Sequence, residues 1–334
     1  MLHQIAEKTR GDFDLLRQIV FPAPAEEFQA GYLHLLDTGE LFQRVSEATM
    51  QLENCEMCSV RCGVNRRAGE LGRCRTGELA RLSSYGPHMG EESVLRGSSG
   101  SGTIFFGGCS LHCQYCQTFD ISQTRAGNEI KAEDLAEIML ELQEYGCHNI
   151  NFVTPDHVVA QILQAVLVAA KKGLEIPLVW NSGGFDSLDS LRLLDGVVDI
   201  YQPDMKYSSA QVARRYSRVN DYPLINQEVV REMHRQVGDL VLDENGVAQR
   251  GLLVRHLVLP HGLAGTQEIV CFLAEEISPN TYLNIMGHYR PAFQAHLYAS
   301  LNRPVSPEEY QAAIAMARLA GLTRIHEDIE VNQR

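Results

Sequence analysis

Three cysteines fall within eight residues of the stretch FFGGCSLHCQYCQTF (105–119), at Cys109, Cys113 and Cys116. The C-x3-C-x2-C spacing puts three soft ligands on one tight loop, directly after a strand-like run. Structural zinc takes four ligands, and none is obvious nearby: His112 adjoins Cys113, which makes ligation by both awkward. A four-iron cluster has four corners, so three thiolates leave one iron open to a non-protein ligand, a vacancy that suits chemistry better than scaffolding. A second group, CEMCSVRCGVNRRAGELGRC, places Cys55, Cys58, Cys62 and Cys74 at C-x2-C-x3-C-x11-C. Four thiolates at such spacings can wrap one zinc ion or a second iron–sulfur cluster, and the sequence leaves both readings open. Arg61, Arg66, Arg67, Arg73 and Arg75 accompany them, either to dock an acidic partner or to offset thiolate charge. Cys147 and Cys271 stand alone in apolar company and read as buried, inert thiols.

Loops that carry chemistry need strands to hold them. From residue 103 a repeat begins: TIFFGG (103–108), NINFVTP (149–155), IPLVWNS (176–182), VVDIYQPD (197–204), RHLVLPH (255–261) and TYLNIMG (281–287) are short apolar runs. Each ends in residues that favour turns or function, as strands feeding loops do. Helical stripes lie between them, over 132–145, 157–170 and 267–277, with apolar residues at i, i+3, i+4 and i+7. The pattern predicts an α/β fold, a partial (β/α)6 barrel of parallel strands, with reactive groups at the strands' carboxyl ends. Residues 1–95 read as an amino-terminal extension carrying the first cysteine group, 96–300 as the barrel, and 301–334 as a carboxyl-terminal helical segment. The stretch 240–254 reads as a small hairpin turning at Glu244–Gly246, and Ser306, Pro307 and Glu309 open a capped helix.

The chain has 334 residues and a formal charge of −13, from 42 acidic and 29 basic residues. That balance disfavours nucleic acid and anionic membranes as partners while permitting a local basic pocket. No apolar run reaches membrane length, and the start lacks the apolar core of a signal peptide, so the expected compartment is the cytoplasm.

GGCSLHCQYCQ resembles the signature loop of radical S-adenosylmethionine enzymes in its spacing, its place after the first strand and the aromatic before the third cysteine. The resemblance implies a [4Fe-4S] cluster on Cys109, Cys113 and Cys116, with the open iron binding the amino and carboxylate groups of S-adenosylmethionine and Tyr115 near the adenine. It implies reductive cleavage to a 5′-deoxyadenosyl radical that abstracts hydrogen from substrate, fed by a flavodoxin- or ferredoxin-type electron donor. Further strand ends are similar to the branch that activates pyruvate formate-lyase. In YQPDMKY (201–207), Asp204 and Lys206 match an Asp-x-Lys pair that holds the methionine part, and their charges complement an amino acid. NSGG (181–184) offers Ser182 near the ribose or methionine, and RHLVLP (255–260) and NIMGHYRP (284–291) offer Arg255, His256 and His288. Arg255 suits a carboxylate clamp, and each histidine is a pocket residue or a satisfied core or surface one.

The branch's Gly-Gly-Glu is absent: that position reads NFVTPDH (151–157), where Thr154, carbonyls near Pro155 or Asp156 substitute. This agrees better with an uncharacterised group, described as similar to those activators, that shares FVTP. The resemblance implies an oxidoreductase acting on a protein glycine, a glycyl-radical activase, or on a small molecule or peptide side chain; the reading from another class is a non-catalytic metal-binding scaffold.

Overall fold

A computed structural model describes residues 28–327. In chain order it has α1 (Gly31–Asp37), α2 (Glu40–Met50), β1 (Ala80–His88), α3 (Ser93–Arg96), β2 (Ser101–Phe106), α4 (Phe119–Ser122) and β3 (Asn128–Ile130). Then come α5 (Ala132–Glu144), β4 (Ile150–Val153), α6 (Val159–Lys171), β5 (Leu178–Ser182), α7 (Leu188–Leu194) and β6 (Ile200–Pro203). The rest comprises α8 (Ala210–Ser217), α9 (Tyr222–Val237), β7 (Val241–Leu242), β8 (Ala248–Leu257), α10 (Thr266–Phe272), β9 (Tyr282–Met286), α11 (Pro307–Leu319) and β10 (Arg324–Glu327).

The sheet order is β10-β9-β8-β6-β5-β4-β2-β1-β3, with β7 paired to β8. From β2 to β10 every neighbouring pair is parallel, while β1 and β3 run antiparallel at the other edge. All six predicted strands are present in one α/β sheet. β1 and β10, polar enough to lack an apolar signature, add to it at either side. The predicted hairpin forms, but its second arm and the predicted fifth strand are one strand, β8. Gly251 permits this: at φ +124 it lies so close to Asp239 that a Cβ would stand 2.4 Å from the Asp239 carbonyl oxygen.

Alternation sorts the strands' residues between two faces. Ile104, Phe106, Ile150, Phe152, Trp180, Tyr201, Leu252 and Val254 pack in the main core, which also takes the buried faces of the helices. On the other face Val179, Ile200 and Leu253 pack against Val94 and Leu95 of α3. Glu92, just before α3, accepts from Gln202 on β6 (2.6 Å) and from Asn284 on β9 (2.6 Å). Asn149, at the start of β4, donates to the Leu95 carbonyl at 2.8 Å. Partners on β4, β6 and β9 can meet around α3 only if the sheet curls, so α3 closes the bottom of a partial barrel. Among the described residues no helix is long and apolar enough to cross a membrane. The most apolar helix, α6, is buried nearly all round rather than along one stripe, because α2 lies across it and Gln164 donates to Thr49 at 2.8 Å.

Asp199 ties the lower ends together. It accepts from the backbone nitrogens of Gly31 (3.0 Å) and Leu178 (3.1 Å) and from Arg250 (3.3 Å). Burial pushes its pKa from 3.8 to about 6, against the pull of those donors. The folded chain therefore retains a proton that the unfolded chain has released, and the carboxyl's contribution falls as pH rises from about 4 to about 6. Thermal denaturation should show Asp199→Asn closing its stability gap to wild type between about pH 4.5 and pH 7; a pH-independent gap contradicts the assignment.

At the other end of the chain the predicted capping box is complete. Ser306 Oγ accepts from the Glu309 nitrogen (3.2 Å) and Glu309 accepts from the Ser306 nitrogen (3.0 Å). Ser306→Ala should lower the stability measured by chemical denaturation by about 1 kcal/mol.

Candidate active site

The thiol loop leaves β2 through Gly107 and Gly108. Gly108 sits at φ +96, where a Cβ would stand 2.7 Å from the Cys74 carbonyl oxygen, so the loop starts pressed against the amino-terminal cysteine segment. Its middle docks on the end of α8. His112 and Gln114 donate backbone hydrogen bonds to the Ser217 and Tyr216 carbonyls at 3.4 and 2.7 Å. Cys113 Sγ lies 2.9 Å from Ser217 Oγ, which in turn lies 2.8 Å from the Tyr207 hydroxyl. Cys116 Sγ lies 3.1 Å from Ser122 Oγ. Cys113 is buried, Cys109 and Cys116 are half-buried, and all three are free thiols. Burial pushes the Cys109 and Cys113 thiols up, and each feels the charge of its neighbours in the loop.

The sequence at the second strand end proves to clamp this loop. Thr154 holds φ +58, a left-handed conformation unusual for a β-branched residue, and its nitrogen donates to Asn181 at 2.8 Å. The turn aims Asp156 and His157 back under β2. Ser110 donates to Asp156, and His157 Nε2 lies 3.2 Å from the Gly107 carbonyl oxygen. Asp156 thus lies 2% exposed beneath the loop, its Oδ2 held by Ser110 and its Oδ1 without a hydrogen-bond partner, and does not stand at the rim as a substitute for the missing glutamate.

Across the mouth, Asp204 follows β6. Its carboxylate accepts from Lys206 Nζ at 2.6 Å and from Arg255 Nε at 3.0 Å, and Arg255 Nη2 donates to Asn181 Oδ1 at 2.7 Å. Burial alone would raise the Asp204 carboxyl, but Arg255 and Lys206 hold it below its ordinary value. Lys206 keeps its proton against burial because Asp204 and the Cys113 thiol face it. Glu92 and Glu91 also act on Arg255, so three carboxylates face the two cations of the rim. Tyr222 OH and Asn226 Nδ2 fix the Asp204 carbonyl at 2.9 and 3.0 Å. Gly184 makes room for them: at φ +66, a Cβ would stand 2.2 Å from Asn226 Nδ2.

Other predicted residues take different places. Ser182 points to the helix side of the sheet with Trp180, and its hydroxyl donates to Asp186 at 2.6 Å. Its neighbour Asn181, which alternation aims inward, reaches the rim instead. His256 is a satisfied core histidine, its ring nitrogens 2.7 Å from the Met205 carbonyl and 2.9 Å from Thr266 Oγ1. His288 is exposed on the loop after β9. Tyr115 is buried edge-on between Tyr207 and Tyr289, with ring centroids 6.3 and 5.8 Å away. Of the lone cysteines Cys147 is buried, whereas Cys271 is half-buried and accepts from Gln267 at 3.1 Å.

The amino-terminal thiols gather around a guanidinium. Arg66 is 1% exposed, donates to the His157 carbonyl at 2.7 Å and lies 3.6 Å from Cys74 Sγ. Burial would lower its pKa, but Cys74, Cys55 and Cys58 raise it. Among the described residues no three His, Cys, Asp or Glu side chains close on one point to hold a single metal ion. The expected zinc on Cys55, Cys58, Cys62 and Cys74 is therefore not supported, nothing in the structure supports a second cluster on them, and Arg66 supplies positive charge there. The 109–116 loop asks for something else, since each corner of a cluster is a separate iron taking one thiolate. Three unpaired thiols ringed by hydroxyls and a cation meet that demand, and the Asp204–Lys206–Arg255 rim meets that of an amino-acid moiety beside it.

Residues 103–244 match the radical SAM superfamily. An uncharacterized protein of Methanocaldococcus jannaschii is 31% identical over 310 residues, covering 90% of this chain and 85% of its own length. Among solved structures, a radical SAM methyltransferase from Sphaerobacter thermophilus aligns with TM-score 0.46 and 16% identity over 70% of this chain and 68% of its own. The FeFe-hydrogenase maturase HydG from Carboxydothermus hydrogenoformans aligns with TM-score 0.47 and 12% identity, over 66% of this chain and 50% of its own. By the family match, and by a relative alike along most of its length, this chain belongs to the radical SAM superfamily.

Proposed function

We propose that the chain holds a [4Fe-4S] cluster on Cys109, Cys113 and Cys116 and takes hydrogen from a carbon of a substrate seated in the curl of its sheet. The observation that carries this reading is the three-thiol loop set beside the half-buried Asp204–Lys206–Arg255 rim, with Lys206 close enough to Cys113 to feel its charge. When bound, the cluster supplies one electron to S-adenosylmethionine, whose sulfur–C5′ bond then breaks to give a 5′-deoxyadenosyl radical able to take hydrogen from carbon. The chain's own residues bind and orient. Lys206 and Arg255 offer their cations to the cofactor's carboxylate, and Asp204 offers a carboxylate to its ammonium. Tyr222 and Asn226 hold Asp204 in place, and Tyr115, Tyr207 and Tyr289 wall off water behind the loop.

Substrates of this reading are small molecules or peptide-borne groups that reach the curl. The glycyl-radical form, with a partner protein's glycine as substrate, rests on the resemblance of the strand ends at 181–184 and 201–207. The electron comes from a flavodoxin- or ferredoxin-type donor. Burial lowers the pKa of His112 in the thiol loop, and the Arg73, Arg218 and Arg75 cations beside it lower it further. On a chain of charge −13 that cationic edge suits an acidic donor.

Anaerobic reconstitution should load about four irons per chain, and reductant with S-adenosylmethionine should yield 5′-deoxyadenosine. Cys113→Ala should abolish both, whereas Cys55→Ala should leave the iron count unchanged; full iron loading of the Cys113 variant would refute the ligand set. Lys206→Met should keep the fold and weaken S-adenosylmethionine about tenfold or more in equilibrium binding, the loss of one charge-assisted hydrogen bond.

A further inference from the structure

Two of the three loop thiols are met by serine hydroxyls that have a second polar partner behind them. Ser217, the last residue of α8, sets its Oγ 2.9 Å from Cys113 Sγ and 2.8 Å from the Tyr207 hydroxyl. Tyr207 is also hydrogen-bonded to Tyr115, two residues after Cys113. All four of these side chains are buried. Ser122, the last residue of α4, sets its Oγ 3.1 Å from Cys116 Sγ and accepts from Gln123 Nε2 at 3.3 Å. Thr118 Oγ1 lies farther off, 3.6 Å from the same sulfur. Ser110, beside Cys109, spends its hydroxyl on Asp156 instead.

A free thiol gains little from this arrangement, since S–H is a weak donor and its sulfur a weak acceptor. A thiolate is a strong acceptor, and a hydrogen bond to it is roughly twice as strong as one between neutral groups. Iron ligation makes each cysteine a thiolate, and that fixes every direction in the two chains of hydroxyls. Cys113 then only accepts, so Ser217 donates to it. Ser217 in turn accepts from Tyr207, which spends its single proton there and accepts from Tyr115. Ser122, already accepting from Gln123, turns its proton to Cys116 in the same way. The partner behind each serine matters, because a serine hydroxyl in a helix otherwise turns back on the carbonyl one turn earlier. Burial pushes the Cys113 thiol up, and the Lys206 cation and the Ser217 hydroxyl pull against it. Hydrogen bonds to sulfur are among the features that set a cluster's reduction potential, and they favour the more negative, reduced state.

We propose that Ser217, held by Tyr207, and Ser122, held by Gln123, are positioning residues that donate hydrogen bonds to the Cys113 and Cys116 sulfurs and raise the reduction potential of a cluster bound there. This rests on the cluster reading of the loop, but not on cleavage of S-adenosylmethionine or on any substrate. The test is an anaerobic redox titration of the cluster-loaded full chain, followed by electron paramagnetic resonance with no S-adenosylmethionine present. Ser217→Ala should load iron as wild type does and lower the equilibrium constant for one-electron reduction about tenfold, which is about 59 mV more negative. Ser122→Ala should shift it the same way, and the two shifts should add. Tyr207→Phe should shift it the same way by less, and should add nothing in the Ser217→Ala background, where the relay is already cut.

An unchanged or more positive potential in Ser217→Ala overturns the proposal at Cys113, and the same result in Ser122→Ala overturns it at Cys116. A Tyr207→Phe shift of equal size with and without Ser217 would show that Tyr207 acts by packing, and would overturn the relay. Should Ser217→Ala fail to hold iron, Ser122→Ala decides by the same criterion on the other thiol. A wild-type chain that holds no cluster refutes the ligand set and this proposal with it. A wild-type chain that holds one but makes no 5′-deoxyadenosine refutes the radical reading, and the potentials still decide the role of the two serines.

Discussion

The docking of the thiol loop onto the end of α8 is the constraint from which the rest of the structure follows. Three cysteines within eight residues could fold in many ways, and their usefulness depends on one arrangement being imposed from outside. Backbone hydrogen bonds from His112 and Gln114 to Ser217 and Tyr216, and the contact of Cys113 with Ser217, impose it from one side. Ser110 on Asp156 and His157 on Gly107 impose it from the other. The loop is therefore held by the end of α8 on one side and by the turn after β4 on the other, segments that the parallel sheet and its crossovers bring to the same end.

The same geometry explains why charge collects opposite. A buried carboxylate persists only when paired, and Asp204 is paired twice, with Lys206 and Arg255. Glu92, held by Gln202 and Asn284, and Glu91 add their charge to Arg255 as well. The rim thus carries charges of both signs, which an amino-acid zwitterion can pair.

Much of this was legible in the sequence, for reasons that differ from part to part. Six apolar runs ending in turn residues identified the parallel strands because strands buried on both faces have little choice of residue. The capping box at Ser306 was legible because its two hydrogen bonds are local. β1 and β10 were not, since edge and near-edge strands are polar and short of pattern. The loop cysteines and the Asp204–Lys206 pair were local signals as well. Ser182 and His256 were read from motif position, whereas alternation along β5 and β8 decides the matter: one residue earlier, Asn181 and Arg255 face inward. Ser217, Tyr222 and Asn226 carried no signal, because what they support lies far away in the chain. The four amino-terminal cysteines suggested a metal by spacing, and only the fold reveals that Arg66 lies buried among them.

The central claim is that the loop leaves one iron open for an amino-acid ligand. The direct measurement is the electron paramagnetic resonance spectrum of the reduced, cluster-loaded protein, recorded before and after adding S-adenosylmethionine. The account predicts a reduced-cluster signal whose shape changes on addition, because the ligand binds the iron itself. A spectrum indifferent to S-adenosylmethionine, or no cluster signal from protein with intact Cys109, Cys113 and Cys116, would contradict it.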